Sequence, residues 1–395
     1  MDLPPRPVAP LRAGLPLLLA VVLVALSMRS PITGVGAVLP VLSDDLRLST
    51  TTAGILTSLP LLAFAVSSVV VPRVSRRLGV QPTIVAALVL LVAGAALRWV
   101  PGVLPLFVGT VTLGVAIAVA NVLLPVVVRV SFPTRVALVT SAYVVSMQVA
   151  GGIASGLSVP LAEALPGGWR TALAVWGLPA LLGALLWAPR LRGGGGRPVV
   201  GAPHARTPWG SPLAWAVTGF MGTQSMVFYS VLAWLPTVLR DRAGVDAAAA
   251  GLQLSVLQAA GVVAGLAVPL LTADSVARTR RTMVGVSACS LVGVAALLLA
   301  PGAATVGVLF VGFGTGGGIV LALGAMTARA ADAQGAVALS GMAQSVGYLV
   351  AASGPVLAGL LHAVTGSWEV VLGVLCVVAL GQVLTGAVAG RDATV

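Results

Sequence analysis

The chain has 395 residues, 58% of them hydrophobic and 8% charged, where a soluble protein of this size carries about a quarter charged residues. That excludes an ordinary soluble domain and puts most of the chain in lipid. The net charge of +12 comes from arginine alone, and the arginines gather in short loops between apolar runs, which reads as membrane topology and not as a nucleic-acid surface. Cys289 and Cys376 lie far apart in apolar runs, so no disulfide framework or Cys/His metal site is expected.

Apolar runs of about 20 residues, the length of a membrane-spanning helix, recur along the chain. They fall at 13–40, 52–72, 81–99, 104–129, 136–162, 170–189, 212–238, 248–272, 282–300, 304–328, 336–362 and 369–389. The first has the outline of a secretory signal, with Arg6 and Arg12 before it and "ALS" at 25–27. The run continues to Leu42 and eleven more follow, so it reads as a retained first helix. Between runs six and seven, "RLRGGGGRPVVGAPHARTPWG" at 190–210 is long, polar and rich in glycine and proline, a flexible linker in which His204 is solvated.

The expected fold is an all-α membrane protein of twelve transmembrane helices in two six-helix bundles, 1–189 and 211–395, joined by the linker at 190–210. With the N-terminus in the cytoplasm, the inner segments hold 16 arginines. The outer ones hold Arg47, Arg98, Arg170, Arg240 and Arg242, and Arg29 is left within the membrane. Positive loops are cytoplasmic, so both termini are expected there, in a multi-pass protein of a bacterial cytoplasmic membrane.

The halves repeat. "AGILTSLPLLAFAVSSVVVPRV" from Ala53 matches "AGLQLSVLQAAGVVAGLAVPLL" from Ala250, carrying Pro72 onto Pro269. Gly114 and Arg129 match Gly314 and Arg329, Ser141 and Trp169 match Ser340 and Trp368, and the "LP" at 39–40 matches that at 235–236. A parallel duplication of six helices implies two bundles about an axis along the membrane normal, with a binding site between them near the midplane.

This plan resembles the major facilitator superfamily. Part of that superfamily's loop signature stands as "PRVSRRLG" at 72–79, without its usual acidic residue and so without the associated gating ion pair. Within the superfamily the chain is similar to the cyanate permease and 2-nitroimidazole transporter family, through "MRSPITGVGAVLP" (28–40), "GVAIAVANVLLPVVVRVSFP" (114–133), "TQSMVFYSVLAWLPTVLRD" (223–241) and "LSGMAQSVGYLVAASGPVLAGLLH" (339–362). The resemblance implies a transporter working by alternating access and leaves its substrate open.

Arg29 lies 17 residues beyond Arg12, about 25 Å along a helix, too deep to snorkel. A charge there costs roughly 3 kcal/mol or more. The ten acidic residues all fall at termini or predicted helix ends, so either a bound anion or amides, hydroxyls and water must stabilise the guanidinium. Asn121, Tyr143, Gln148, Gln224, Tyr229, Gln258, Gln344 and Tyr348 stand at the same depth, in spans that the resemblance assigns to the cavity lining. These eight residues and Arg29 are the expected substrate-binding set, with Trp234 adding aromatic surface; for any single amide or tyrosine, interhelical bonding is the alternative. Under the duplication Arg29 falls on Ser225, so a cationic wall is expected to face a hydrogen-bonding one. Pro31 removes the helical partner of the Ser27 carbonyl and allows a bend beside the site.

"GFGTGGG" at 312–318 fits a dinucleotide pattern, but no strand precedes it, and it reads as close packing or a hinge. "GGIASG" at 151–156 reads the same way. No catalytic arrangement, ATPase motif or cofactor motif stands out, so the chain is expected not to be an enzyme. The expected function is secondary active or facilitative transport of a small polar or anionic solute by a monomer. A drug or metabolite exporter of the same fold is the alternative, and a channel or receptor the remote one. Any proton dependence is expected from the solute's own ionisation, from His362 or from Glu163.

Overall fold

The computed structural model describes residues 15–193, 207–272 and 275–395; most of the expected linker, with His204, lies outside the described residues, as do Arg6 and Arg12. Among the described residues the regular structure is helical. The first half contains α1 (Leu15–Leu46), α2 (Thr50–Leu78), α3 (Val80–Trp99), α4 (Val103–Ser131), α5 (Val136–Ala164), α6 (Trp169–Val175) and α7 (Leu178–Trp187). The second contains α8 (Pro212–Ala243), α9 (Ala247–Thr272), α10 (Val276–Leu299), α11 (Ala304–Ala328), α12 (Ala333–Thr365) and α13 (Trp368–Ala389). Helices are the form in which a lipid-embedded chain satisfies its own backbone groups. Their ends carry polar caps: the side chains of Ser49, Ser211, Ser275, Asp332 and Ser367 each accept from a backbone N–H three residues on.

The sixth expected span is broken. Pro179 has no N–H for the Val175 carbonyl, and the chain turns at Trp176 and Gly177 between α6 and α7. Eleven segments among the described residues are long and apolar enough to cross a membrane. The expected seventh span, α8, misses that measure because it carries Gln224, Ser225 and Tyr229. Every α8 residue from Gln224 to Leu239 is buried, so these polar groups face protein and not lipid.

The duplication recurs in the packing. Gly94 of α3 crosses Gly109 of α4 backbone to backbone, and Gly293 of α10 crosses Gly307 of α11 in the same way. Trp169 donates from Nε1 to Asp45 at 3.1 Å, and Trp368 donates to Asp241 at 2.9 Å. In each half the last span is thereby latched to the end of the first.

The halves meet along three seams, α1 with α8, α2 with α12, and α5 with α9. All three are tight toward one end. A methyl group on Gly36 would lie 2.5 Å from the Leu232 carbonyl oxygen, and one on Gly54 would lie 2.5 Å from that of Pro355. Ser255 donates to the Gly152 carbonyl at 2.7 Å across the third seam. Arg240 pairs with Asp44 at 3.1 Å at the same end. By contrast α4 and α11 form no comparable seam among the described residues. The molecule is therefore closed at the Asp44–Arg240 end. Because that pair is well exposed, replacing Asp44 with Asn should change unfolding free energy by less than about 1 kcal/mol. Asp45 holds both Trp169 and Arg170, so Asp45→Asn should lower the melting temperature more than Asp44→Asn does in the same thermal scan.

Candidate functional site

Arg29 sits midway along α1. Its guanidinium carbon lies 4.5 Å from the centre of the Phe228 ring and 5.9 Å from that of Tyr229. The Nε is buried without a partner. The ion pairs among the described residues involve Arg170, Arg240 and Arg242 at helix ends, and none reaches Arg29. Arg29 is half-buried; a cation over an aromatic face gains about 0.5–2 kcal/mol, less than the roughly 3 kcal/mol or more that a charge at mid-membrane depth costs. The protein alone leaves this charge undercompensated.

Gln258 of α9 is 1% exposed, and neither its Oε1 nor its Nε2 has a partner. It meets Arg29 across a missing side chain. A methyl on Gly151 of α5 would lie 2.7 Å from Arg29 Cγ and overlap Gln258 Nε2. Thr33, one turn beyond Arg29, donates to the Gly151 carbonyl at 2.9 Å and holds α1 against α5 there. Tyr348 of α12 packs edge-on to Phe64 of α2 at 5.4 Å and lies within electrostatic range of Tyr229 and Arg29. One cationic group, one amide with both ends free and a surround of aromatic rings thus converge where α1, α5, α8, α9 and α12 meet.

Of the expected set, Arg29, Tyr229, Gln258 and Tyr348 come together. Gln148 is half-buried one turn before Gly151, and its amide approaches Gly261, one turn beyond Gln258 on α9. Tyr143 is half-buried on α5, and Asn121 is exposed on α4. Gln224 turns into the second bundle, against Gly318 of α11, and donates to Ser225 at 2.6 Å. Gln344 donates to Ser340 within α12. Trp234 donates to the Pro355 carbonyl and packs against Trp368, on which His362 stacks. Phe228, Thr33 and Gly151 were not in the expected set; Phe228 adjoins Tyr229, and Gly151 had been read only as packing.

A buried amide with no partner destabilises its protein, by about 1–3 kcal/mol for the desolvated group. Gln258→Leu should therefore keep or raise the melting temperature while weakening solute binding. A ligand titration and a thermal scan on one preparation read both, and a loss of both would make Gln258 structural.

The reading of "GFGTGGG" as packing agrees with its place inside α11. Gly312 and Gly316 close on α9, Gly314 and Gly317 on α10, and Gly318 approaches Gln382 of α13.

Residues 17–355 match the family model of the Major Facilitator Superfamily. The chain is 39% identical over 379 residues to the 2-nitroimidazole transporter of Escherichia coli (strain K12), covering 95% of each. It is 25% identical over 375 residues to the cyanate transport protein CynX of the same organism, covering 92% of this chain and 95% of that protein. In fold it matches the crystal structure of a D-xylose-proton symporter, with a TM-score of 0.73 at 15% identity over 96% of this chain and 97% of that one. The paired bundles, the polar groups that converge between them and these matches agree: the chain belongs to the major facilitator superfamily, in the family of the cyanate and 2-nitroimidazole transporters, and is a multi-pass membrane transporter of small solutes and not an enzyme.

Proposed function

We propose that the chain moves a small anionic or electron-rich solute across the bacterial plasma membrane by alternating access, with Arg29 receiving the negative end of the solute. The observation that carries this reading is the interior guanidinium with no carboxylate paired to it among the described residues, set against aromatic rings and facing an amide with both ends free. Cyanate and the nitro group of a 2-nitroimidazole share one feature, electron-rich terminal atoms suited to a guanidinium. Gln258 and Tyr229 supply further hydrogen bonds, and Phe228 and Tyr348 a flat surface for a planar solute. Gln148, Tyr143 and Asn121 are then further solute contacts of the cycle, while Gln224 and Gln344, already bonded to Ser225 and Ser340, act in helix packing.

The arginine-rich loops put both termini in the cytoplasm, which makes the Asp44–Arg240 end the outer one and the described arrangement inward-facing. The bundles 1–189 and 211–395 then rock about the site, with 190–210 as their cytoplasmic tether and a monomer as the working unit. Proton dependence follows the ionisation of the solute, or of His362 or Glu163. The test is counterflow in proteoliposomes, with labelled cyanate, small carboxylates and 2-nitroimidazole as separate solutes. Transient accumulation driven by unlabelled solute is expected for at least one. Flux without exchange would point to a channel, and no flux of any of them would refute the solute class.

A further inference from the structure

Arg98 lies apart from the site above. Although it is the next-to-last residue of α3, its side chain turns inward and is 1% exposed. Nε donates to Thr110 at 3.1 Å and Nη1 to the Pro31 carbonyl at 2.8 Å. Those are two of the five N–H groups of a guanidinium. Thr110 spends its own proton on the Leu106 carbonyl, so toward Arg98 it acts purely as an acceptor. Arg98 also lines a cavity of about 20 Å³, with Thr57, Thr110, Gly36, Tyr229 and Leu232 among the other walls. That is space for a water or an ion of similar size. Among the described residues no acidic side chain lines it.

The crossing of α3 with α4 does not itself need a polar group here. A methyl on Gly109 would lie 3.1 Å from Arg98 Cγ, and at the repeated crossing a methyl on Gly307 would lie 3.0 Å from Leu297 Cγ. Arg98 therefore corresponds to Leu297, and Thr110, next to Gly109, corresponds to Val308, next to Gly307. The same helix crossing forms in the second half from apolar residues alone. A charge kept in low dielectric, without a counter-charge and without a packing need for it, calls for an anionic partner.

We propose that the Arg98 cavity is a second anion site, separate from Arg29, that takes a compact monovalent anion of halide size. Arg98 provides charge and N–H donors, Thr110 holds the guanidinium by accepting from its Nε, and Tyr229 forms the wall on the side of Arg29. Tyr229 and Leu232 belong to the opposite bundle, so an ion bound here bridges the halves on the closed side of the solute site.

The experiment uses bromide as the probe. Crystals of the full-length protein grown in sodium bromide should show an anomalous peak within contact of Arg98. In solution, bromide replacing gluconate at constant ionic strength should raise the melting temperature. Arg98→Leu, the residue found at the repeated position, should weaken the apparent bromide affinity more than tenfold, and Arg29→Ala should leave it unchanged. Thr110→Val serves as the second variant if Arg98→Leu does not fold, with a smaller loss expected. Bromide found at Arg29 or on surface arginines alone, or a bromide response that disappears with Arg29 and survives loss of Arg98, would overturn the proposal. Those outcomes leave the solute reading of Arg29 standing, and loss of solute binding without loss of the bromide response would do the reverse.

Discussion

Arg29→Ala should abolish solute binding while the protein inserts, folds and melts at the same temperature as wild type or higher. The direction of the stability change follows from the surroundings of the side chain. Its Nε has no partner, and its attractive contacts are the rings of Phe228 and Tyr229. Removing it relieves a desolvation cost larger than those contacts return. Binding moves the other way. A hydrogen bond to a charged group contributes about 1.5–3 kcal/mol, so losing one or two weakens affinity by tenfold to several hundredfold, using about 1.4 kcal/mol per factor of ten. Arg29→Lys should fall between, because an ammonium keeps the charge and loses the planar fork. Melting temperature and solute titration on the three proteins decide it. A lowered melting point in Arg29→Ala that Lys restores would make Arg29 a structural residue, and an Arg29→Ala protein that binds and transports normally would end the counter-ion reading.

Arg29 was legible in the sequence because a charge in an otherwise apolar span is costly wherever its side chain points. Gln258 and Tyr348 were legible for a weaker version of the same reason. The side-chain direction was not. Along α8 every residue from Gln224 to Leu239 is buried, so no apolar stripe separates a cavity face from a packing face. Gln224 and Tyr229 look alike in sequence, yet Gln224 packs into its own bundle and Tyr229 stands beside Arg29.

Arg98 was counted with the outer segments as a topology charge, and the structure adds what that count did not show: the side chain is inside the first bundle, bonded to the Pro31 carbonyl. Its position one residue from the end of α3 suggested a charge facing water. Side chains on a helix lean back toward its N-terminus, however, and at the last turn of α3 that direction leads into the protein. Pro31 takes a hydrogen bond from a neighbouring helix as well as breaking one within its own. Glycine-rich runs announced close packing without naming partners, because partners are set by the meeting of two bundles that are far apart in sequence.

Replacement of Gly36 by Leu should leave the protein folded and stop its transport cycle. The two helices at this point come so close that a single methyl on Gly36 would lie 2.5 Å from the Leu232 carbonyl oxygen, where 3.4 Å begins ordinary contact. The obstacle is backbone, which cannot swing aside as a side chain does, so α1 and α8 must separate. Each bundle keeps its internal packing, α1 on α5 and α8 on α12, and the strain falls on the seam between the bundles. A carrier that cannot close one end loses the state in which solute is released at the other, so exchange should drop more than tenfold. Gly36→Ala should give a smaller loss, since the gap to recover is under 1 Å. Gly373→Ala is the control, because no atom lies within 4 Å of the added methyl; it should transport normally. The opening itself can be measured with Thr57→Cys, a wall of the Arg98 cavity, in a background where Cys289 and Cys376 are replaced by Ser. A membrane-impermeant thiol reagent applied from the Asp44–Arg240 side should label Thr57→Cys faster when Gly36→Leu is present. Equal labelling together with normal exchange would show that the α1–α8 seam is not what closes this end.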